Sequence, residues 1–147
     1  MIRTTGTSRA IGVAVTLAGL FGCSDPSGTV SSSHVGEYEL VVANGSGLPA
    51  LVRSGSEEGI AIQVGSGRLE LAANGDASLD LMFALYDSGT GAFLGDRTES
   101  EIGDYGRSDA AVQLQWSGGA EQSAVYDDAR DEITLAAGGD VYAFRKR

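Results

Sequence analysis

Four carboxylates crowd together near the end of the chain, at Asp127, Asp128, Asp131 and Glu132. Crowded carboxylates can bind Ca²⁺ through their oxygens, or act as general acid and base where crowding raises a pKa. The spacing lacks the ordered acidic residues and glycine of a calcium loop, and Arg130 stands among the four. We therefore interpret the group as a solvated turn between two strands.

The chain contains few of the residues that nucleophilic catalysis requires. A catalytic serine needs a positioned base, and the single histidine, His34, falls in a serine-rich stretch that we expect to be a tether. No Gly-x-Ser-x-Gly motif occurs, and Gly45-Ser46-Gly47 lacks the lysine and helix of a phosphate-binding loop. One cysteine excludes cysteine-rich zinc sites. The sequence predicts a protein that is not an enzyme and uses no metal or cofactor.

The surroundings of the cysteine indicate a different chemistry. Arg3 and Arg9 precede an apolar run from Ala10 to Phe21, and the run ends at Cys23. At about 1.5 Å per helical residue the run is too short to cross a hydrocarbon core of about 30 Å, but it suits the hydrophobic region of a secretory signal. Leu20-Phe21-Gly22-Cys23 resembles the lipobox of bacterial lipoproteins, in which the thiol carries a diacylglycerol.

That resemblance implies how the chain is organised and where it resides. Residues 1–22 would be a lipoprotein signal peptide, and residues 23–35 a lipidated Cys23 with a serine-rich, flexible tether. Two or more acyl chains give stable membrane anchoring, so the protein is expected in the bacterial cell envelope, with the membrane as partner. Ser24 matches the pattern of outer-membrane sorting, if the source has two membranes. The alternative is an ordinary secretory signal with an unmodified cysteine.

The charge balance excludes one class of partner. The chain contains twenty acidic residues and ten basic ones. Cleavage before Cys23 would remove two arginines and no acidic residue, which leaves a formal net charge of about −12. Nucleic acid binding needs clustered lysine and arginine, and the one basic cluster, Arg145-Lys146-Arg147, is interpreted as a solvated end of the chain. We predict no nucleic-acid partner.

From residue 36 onward the pattern predicts strands. Apolar residues alternate with polar ones in several short runs, listed here by their apolar positions: Tyr38, Leu40 and Val42; Leu79, Leu81, Phe83 and Leu85; Val112, Leu114 and Trp116. Turn residues separate the runs, as at Asn74-Gly75-Asp76 and Gly65-Ser66-Gly67. About eight or nine strands without helices predict an all-β domain over residues 36–147, as a small antiparallel up-and-down barrel or a sandwich.

Several of these segments resemble small bacterial lipocalin-like lipoproteins. The resembling stretches are Gly36-Glu37-Tyr38-Glu39-Leu40, residues 67–76, Gly103-Asp104-Tyr105 and Val141-Tyr142-Ala143-Phe144-Arg145. Lipocalins carry a tryptophan on the first strand and a late arginine that packs across it. Tyr38 stands in the place of that tryptophan, and Arg145 is the candidate for the arginine. The resemblance implies an eight-stranded or similar up-and-down barrel.

Two functions follow for such a barrel. A barrel of about eight strands can hold one small ligand, and Leu81, Phe83, Leu114 and Trp116 are the candidate lining of a pocket for a small apolar or amphipathic molecule. The same residues could instead fill the core. A filled barrel with an acidic surface predicts a protein-interaction, inhibitor or envelope-maintenance module that meets a basic protein partner.

Overall fold

The computed structural model describes residues 34–53 and 57–147. In this part of the chain there is no α-helix, and no helix has the length and hydropathy of a membrane span. Ten strands make up the described structure: β1 (Gly36–Ala43), β2 (Ser46–Gly47), β3 (Ala50–Val52), β4 (Ile60–Leu71), β5 (Asp76–Asp87), β6 (Phe93–Ser108), β7 (Ala111–Trp116), β8 (Glu121–Asp127), β9 (Glu132–Ala137) and β10 (Asp140–Lys146).

The strands close into an antiparallel barrel. From β4 to β10 each strand pairs with the next along the chain, and β1 pairs with both β10 and β4, which joins the two ends of the sheet. Eight of the described strands form the closed barrel, while the short strands β2 and β3 lie beside β1 and β4. The predicted small up-and-down barrel is therefore confirmed.

The turns divide the barrel into two ends. We call one the recess end, where the turns after β5, β7 and β9 lie, and the other the His34 end, where β1 begins and the turns after β4, β6 and β8 lie. Near the His34 end the interior is filled. Tyr38 and Phe144 are among its largest buried side chains, and both are fully buried.

One predicted turn is part of a strand instead. Gly65, Ser66 and Gly67 lie inside β4, where a bulge between Val64 and Ser66 shifts the register against β5. The bulge inserts one residue, so Val64 and Leu69 both face the core although they are an odd number of positions apart. Glycine leaves space at position 67, because a Cβ there would lie 2.6 Å from the Leu81 side chain and 3.2 Å from the Asp80 carbonyl oxygen, so these neighbours would have to move.

A second bulge corrects the expectation for the first strand. Tyr38 and Leu40 are buried as predicted, but the register shifts between Leu40 and Val42. Ala43 therefore faces the core in place of Val42, which is half-buried.

A buried carboxylate fixes β10 at the recess end. Asp140 is 1% exposed, and its Oδ1 accepts a hydrogen bond from the Asn44 side chain at 2.8 Å. Both oxygens accept from the backbone N–H of Arg53 at 2.9 Å. Because a buried carboxylate is costly without such bonds, Asp140 ties the turn after β1 and the end of β3 to the barrel.

Candidate functional site

Strand β6 differs from the other strands of the closed barrel in its burial and its sequence pattern. None of its residues is buried, and alternation of apolar residues does not mark it in the sequence. In the register with β5, Phe83 faces Arg97, Leu81 faces Glu99 and Leu79 faces Glu101. Directly paired residues of neighbouring strands project to the same side of the sheet. The three charged side chains of β6 therefore lie on the inner face of the barrel.

Two of these charged side chains, Glu99 and Glu101, border an open recess at the recess end. It has a volume of about 190 Å³. Its apolar wall comes from β5 and β10, and its polar wall from β6 and β8. The lining residues are Leu79, Leu81, Phe83, Glu99, Glu101, Gln122, Ala137, Gly138 and Tyr142. The recess exists because β7 pairs only with Gly103–Ser108 of β6, so the first half of β6 extends beyond β7 within the described structure.

Arg97 lies beside the recess and is held by two contacts. Its guanidinium carbon lies 5.3 Å from the centre of the Phe83 ring, a cation–π contact. Its Nη2 lies 3.0 Å from Oε1 of Glu99. Nε and Nη2 are buried without a well-directed hydrogen bond to any described residue. Buried donors without acceptors lower stability, so packing alone does not account for an arginine at this position.

Glu101 differs from Glu99 in its surroundings. The Glu99 carboxylate is paired with Arg97, whereas no ion pair of Glu101 occurs among the described residues. One polar atom of Gln122 is already used in a hydrogen bond, because its Oε1 accepts from the indole N–H of Trp116 at 3.0 Å. The polar wall of the recess thus presents a free carboxylate next to apolar side chains.

The four predicted lining residues separate into two groups. Leu81 and Phe83 line the recess, and both are more than nine-tenths buried. Leu114 and Trp116 do not line it, and they are buried in the filled part of the core. Sequence reasoning missed Glu99 and Glu101, because charged residues on a strand are ordinarily assigned to the solvent face.

The expected contact of Arg145 with Tyr38 does not occur. Tyr38 is fully buried, but Arg145 projects to the outer face, where its Nη2 lies 3.2 Å from Glu132. Arg145 is opposite Glu39 in the register of β1 and β10, while Tyr38 is opposite Lys146. Lys146 therefore lies on the same side of the sheet as Tyr38, with its Nζ 6.0 Å from the ring centre.

His34 packs against the barrel instead of belonging to a separate tether. Its ring makes edge contacts with Tyr105 and Tyr126, at 5.8 and 6.4 Å between ring centres. Its carbonyl accepts a hydrogen bond from the Tyr38 hydroxyl at 2.5 Å. Arg107 Nη1 lies 2.8 Å from His34 Nδ1. Arginine can only donate, so Nδ1 is the acceptor and the neutral ring carries its proton on Nε2.

Burial and charge perturb the groups at the His34 end. Burial, followed by the positive charges of Arg107 and Lys146, lowers the pKa of His34. Burial also raises the pKa of Tyr38, and of Tyr105. All three shifts keep the side chains neutral at pH 7. The cluster closes this end of the barrel with neutral rings and does not resemble a catalytic arrangement of acid and base.

The four crowded carboxylates have separate partners. Residues 128–131 form the turn between β8 and β9, as predicted. Asp127 bonds the N–H of Ala129, Asp128 lies 3.7 Å from Arg107, and Asp131 accepts the Tyr126 hydroxyl. Within the described residues, no three His, Cys, Asp or Glu side chains are grouped to hold a metal ion.

The predicted signal peptide and Cys23 lie outside the described residues, as do residues 24–33 of the predicted tether. Comparisons with protein families, with curated protein sequences and with solved structures found no match. The function must therefore be inferred from the residues and the geometry of this chain.

Proposed function

We propose that the protein is a non-catalytic lipoprotein of the bacterial cell envelope, anchored through lipid on Cys23, that binds a small amphipathic ligand in the recess. The supporting observation is the composition of the recess: apolar side chains of β5 and carboxylates of β6 border the same opening of about 190 Å³. The anchor rests on the lipobox pattern around Cys23.

The two walls define the chemistry of the ligand. Leu79, Leu81 and Phe83 would contact an apolar body, and burying such surface drives binding. Glu101 would accept hydrogen bonds from the polar end, because Glu99 is already paired with Arg97. A polar end that donates hydrogen bonds, such as an amine, suits this wall, whereas an anionic end would be repelled by the two carboxylates.

The volume limits the ligand's size. The recess of about 190 Å³ is smaller than ordinary ligand pockets, which have about 300 Å³ or more. A small molecule, or one end of a longer molecule, is therefore the proposed occupant.

Native mass spectrometry tests this proposal. Residues 24–147 contain the entire described barrel and would be purified from bacterial cells without detergent, with an organic extract of the same sample. We expect a reproducible added mass, a matching amphipathic compound in the extract, and loss of that mass in Glu101→Gln. A clean mass of the protein alone, also after incubation with amphipathic amines, would overturn ligand binding.

A second candidate function is supported by the outer surface. A groove of about 480 Å³ crosses the outside of β4, β5 and β6, and its lining includes Glu70, Asp76 and Asp104 beside Ile102, which is 67% exposed. Acidic side chains around an exposed apolar one suit a basic protein partner. Asp76→Lys with Asp104→Lys should abolish capture of such a partner from envelope extracts, while Glu101→Gln should leave it unchanged.

A further inference from the structure

The first half of β6 has a free edge. From Gly95 to Glu101 the strand pairs with β5 on one side, and no other strand of the described structure pairs with it on the other side. An exposed strand edge offers unpaired N–H and C=O groups to any strand that fits.

The direction of these backbone groups follows from the bonds beyond the free stretch. The carbonyl of Ile102 accepts from the N–H of Ser117, at the end of β7, so the backbone groups of Ile102 point away from β5. Backbone groups alternate in direction along a strand. The register of β6 on β5 is unbroken from Gly95 to Asp104. The N–H and C=O groups of Asp96, Thr98 and Ser100 therefore face the free edge.

We infer that this edge binds a second copy of the chain, as an antiparallel, two-fold symmetric pair of β6 strands centred on Thr98. In that register Asp96 is opposite Ser100 of the second copy, and both residues direct their backbone groups into the pairing. Arg97 is opposite Glu99 of the second copy, and the symmetry repeats this contact. Opposite charges in directly facing positions stabilise an antiparallel pair.

Neighbouring registers are disfavoured by the same charges. Sliding the second copy by two residues in one direction brings Arg97 opposite Arg97 of the second copy. Sliding it by two residues in the other direction brings Glu99 opposite Glu99. Like charges in facing positions destabilise a strand pair, and inward charges commonly protect a free edge against association. Here the charges exclude shifted pairings and permit the one centred on Thr98.

The apolar side chains at the two ends of the stretch are consistent with this pairing. Leu94 and Ile102 are 54% and 67% exposed in the single chain. The backbone pairing centred on Thr98 runs from Gly95 to Glu101 of each copy, because the Ile102 carbonyl is already bonded to Ser117, and Leu94 then lies at the end of the contact nearest Ile102 of the second copy. An isologous dimer requires such a self-complementary surface. The dimer does not depend on the ligand proposed above, since its contacts are backbone groups and β6 side chains.

Sedimentation equilibrium on residues 24–147 tests the inference. An interface of one strand pair is small, so weak affinity is expected, and the chain would be measured from about 10 µM to 1 mM. We expect the average mass to rise from one chain toward two. A mass of one chain over the whole range would overturn the inference.

Thr98→Pro tests the backbone pairing without removing a bond to β5. The Thr98 N–H faces the free edge, so proline should leave the barrel folded and abolish the dimer. Thr98→Val, which keeps the N–H, should still dimerise. Dimerisation of Thr98→Pro at wild-type strength would rule out pairing through this edge.

The register is tested by exchanging charges. Arg97→Glu and Glu99→Arg should each be monomeric, because like charges then face each other across the dimer axis. An equal mixture of the two variants restores both opposite-charge contacts, so it should form a heterodimer. Circular dichroism would check that each variant is folded. A mixture that stays monomeric while wild type dimerises would contradict the register centred on Thr98.

Discussion

Arg97 lies over the ring of Phe83, with its guanidinium carbon 5.3 Å from the ring centre, at directly paired positions of β6 and β5. This contact holds a charged side chain on the inner face of the barrel, where apolar residues fill the other strands. Arg97 in turn pairs with Glu99, which leaves the carboxylate of Glu101 to border the recess. The mixed character of the recess depends on this arrangement.

Gly103 is expected to be essential for the barrel. A Cβ at this position would lie 2.8 Å from Cα of Trp116, on the neighbouring strand β7, so the two backbones would have to separate. We expect Gly103→Ala to reduce the free energy of unfolding by about 2–3 kcal/mol, measured by urea denaturation. Gly106→Ala is the matched control, because nothing lies within 4 Å of its Cβ. Equal midpoints for the two variants would be inconsistent with the close approach of β6 and β7.

Tyr38 should contribute through both its ring and its hydroxyl. The ring is fully buried, so Tyr38→Ala should lower the free energy of unfolding by about 3–5 kcal/mol. Tyr38→Phe keeps the ring and loses only the bond to the His34 carbonyl, at a cost of about 1 kcal/mol. If Tyr38→Phe proved as unstable as Tyr38→Ala, ring burial would not be the main contribution.

How far the sequence predicts this fold depends on the strand. β5, β7 and β10 alternate apolar and polar residues because one face of each packs into the core, and the sequence therefore predicts them. β4 is predicted as two strands, because the bulge at Gly65 breaks the alternation where the strand itself continues. No pattern predicts β6, since its inner positions are glycines and charged residues except for Tyr105.

The candidate site is predictable only in part for the same reason. Leu81 and Phe83 are found by the alternation of β5. Glu99 and Glu101 face inward because of the register of β6 on β5, and register depends on turn geometry and long-range pairing. The prediction that Arg145 packs on Tyr38 is wrong for a related reason. Neighbouring residues of a strand project to opposite faces of the sheet, so a difference of one position on β10 places Arg145 on the outer face.

The stability of the barrel should depend on the protonation of His34. Its pKa in the folded chain is below the ordinary value of 6.5, because of burial and the charges of Arg107 and Lys146, which outweigh Asp128. The unfolded chain therefore binds a proton at higher pH than the folded chain does. The contribution of His34 to the free energy of unfolding is therefore fully present above pH 6.5. It decreases as the pH falls through 6.5 toward the lowered pKa of His34 in the folded chain.

Urea midpoints between about pH 7.5 and 5.5 measure this effect. We expect the wild-type midpoint to fall over this range, because a protonated Nδ1 can no longer accept from Arg107. His34→Gln removes the titrating group, so its midpoint should fall less. A parallel fall in both proteins would assign the pH dependence to carboxylates instead.

Lipidation of Cys23 is testable in cells. The full chain expressed in a bacterium should incorporate labelled fatty acid and partition with the membrane fraction, and Cys23→Ser should do neither. Ser24→Ala serves as the control for a substitution at the same site. Membrane association of Cys23→Ser equal to that of wild type would contradict the anchor.

The central claim is that the recess binds the ligand, and a pair of neighbouring alanines tests it most directly. Ala137 lines the recess, whereas Ala136 is exposed on the outer face. Native mass spectra would be compared for wild type, Ala137→Phe and Ala136→Phe. The account predicts bound ligand on wild type and Ala136→Phe, and none on Ala137→Phe, whose ring would occupy the recess. Equal ligand occupancy on all three folded proteins would contradict it.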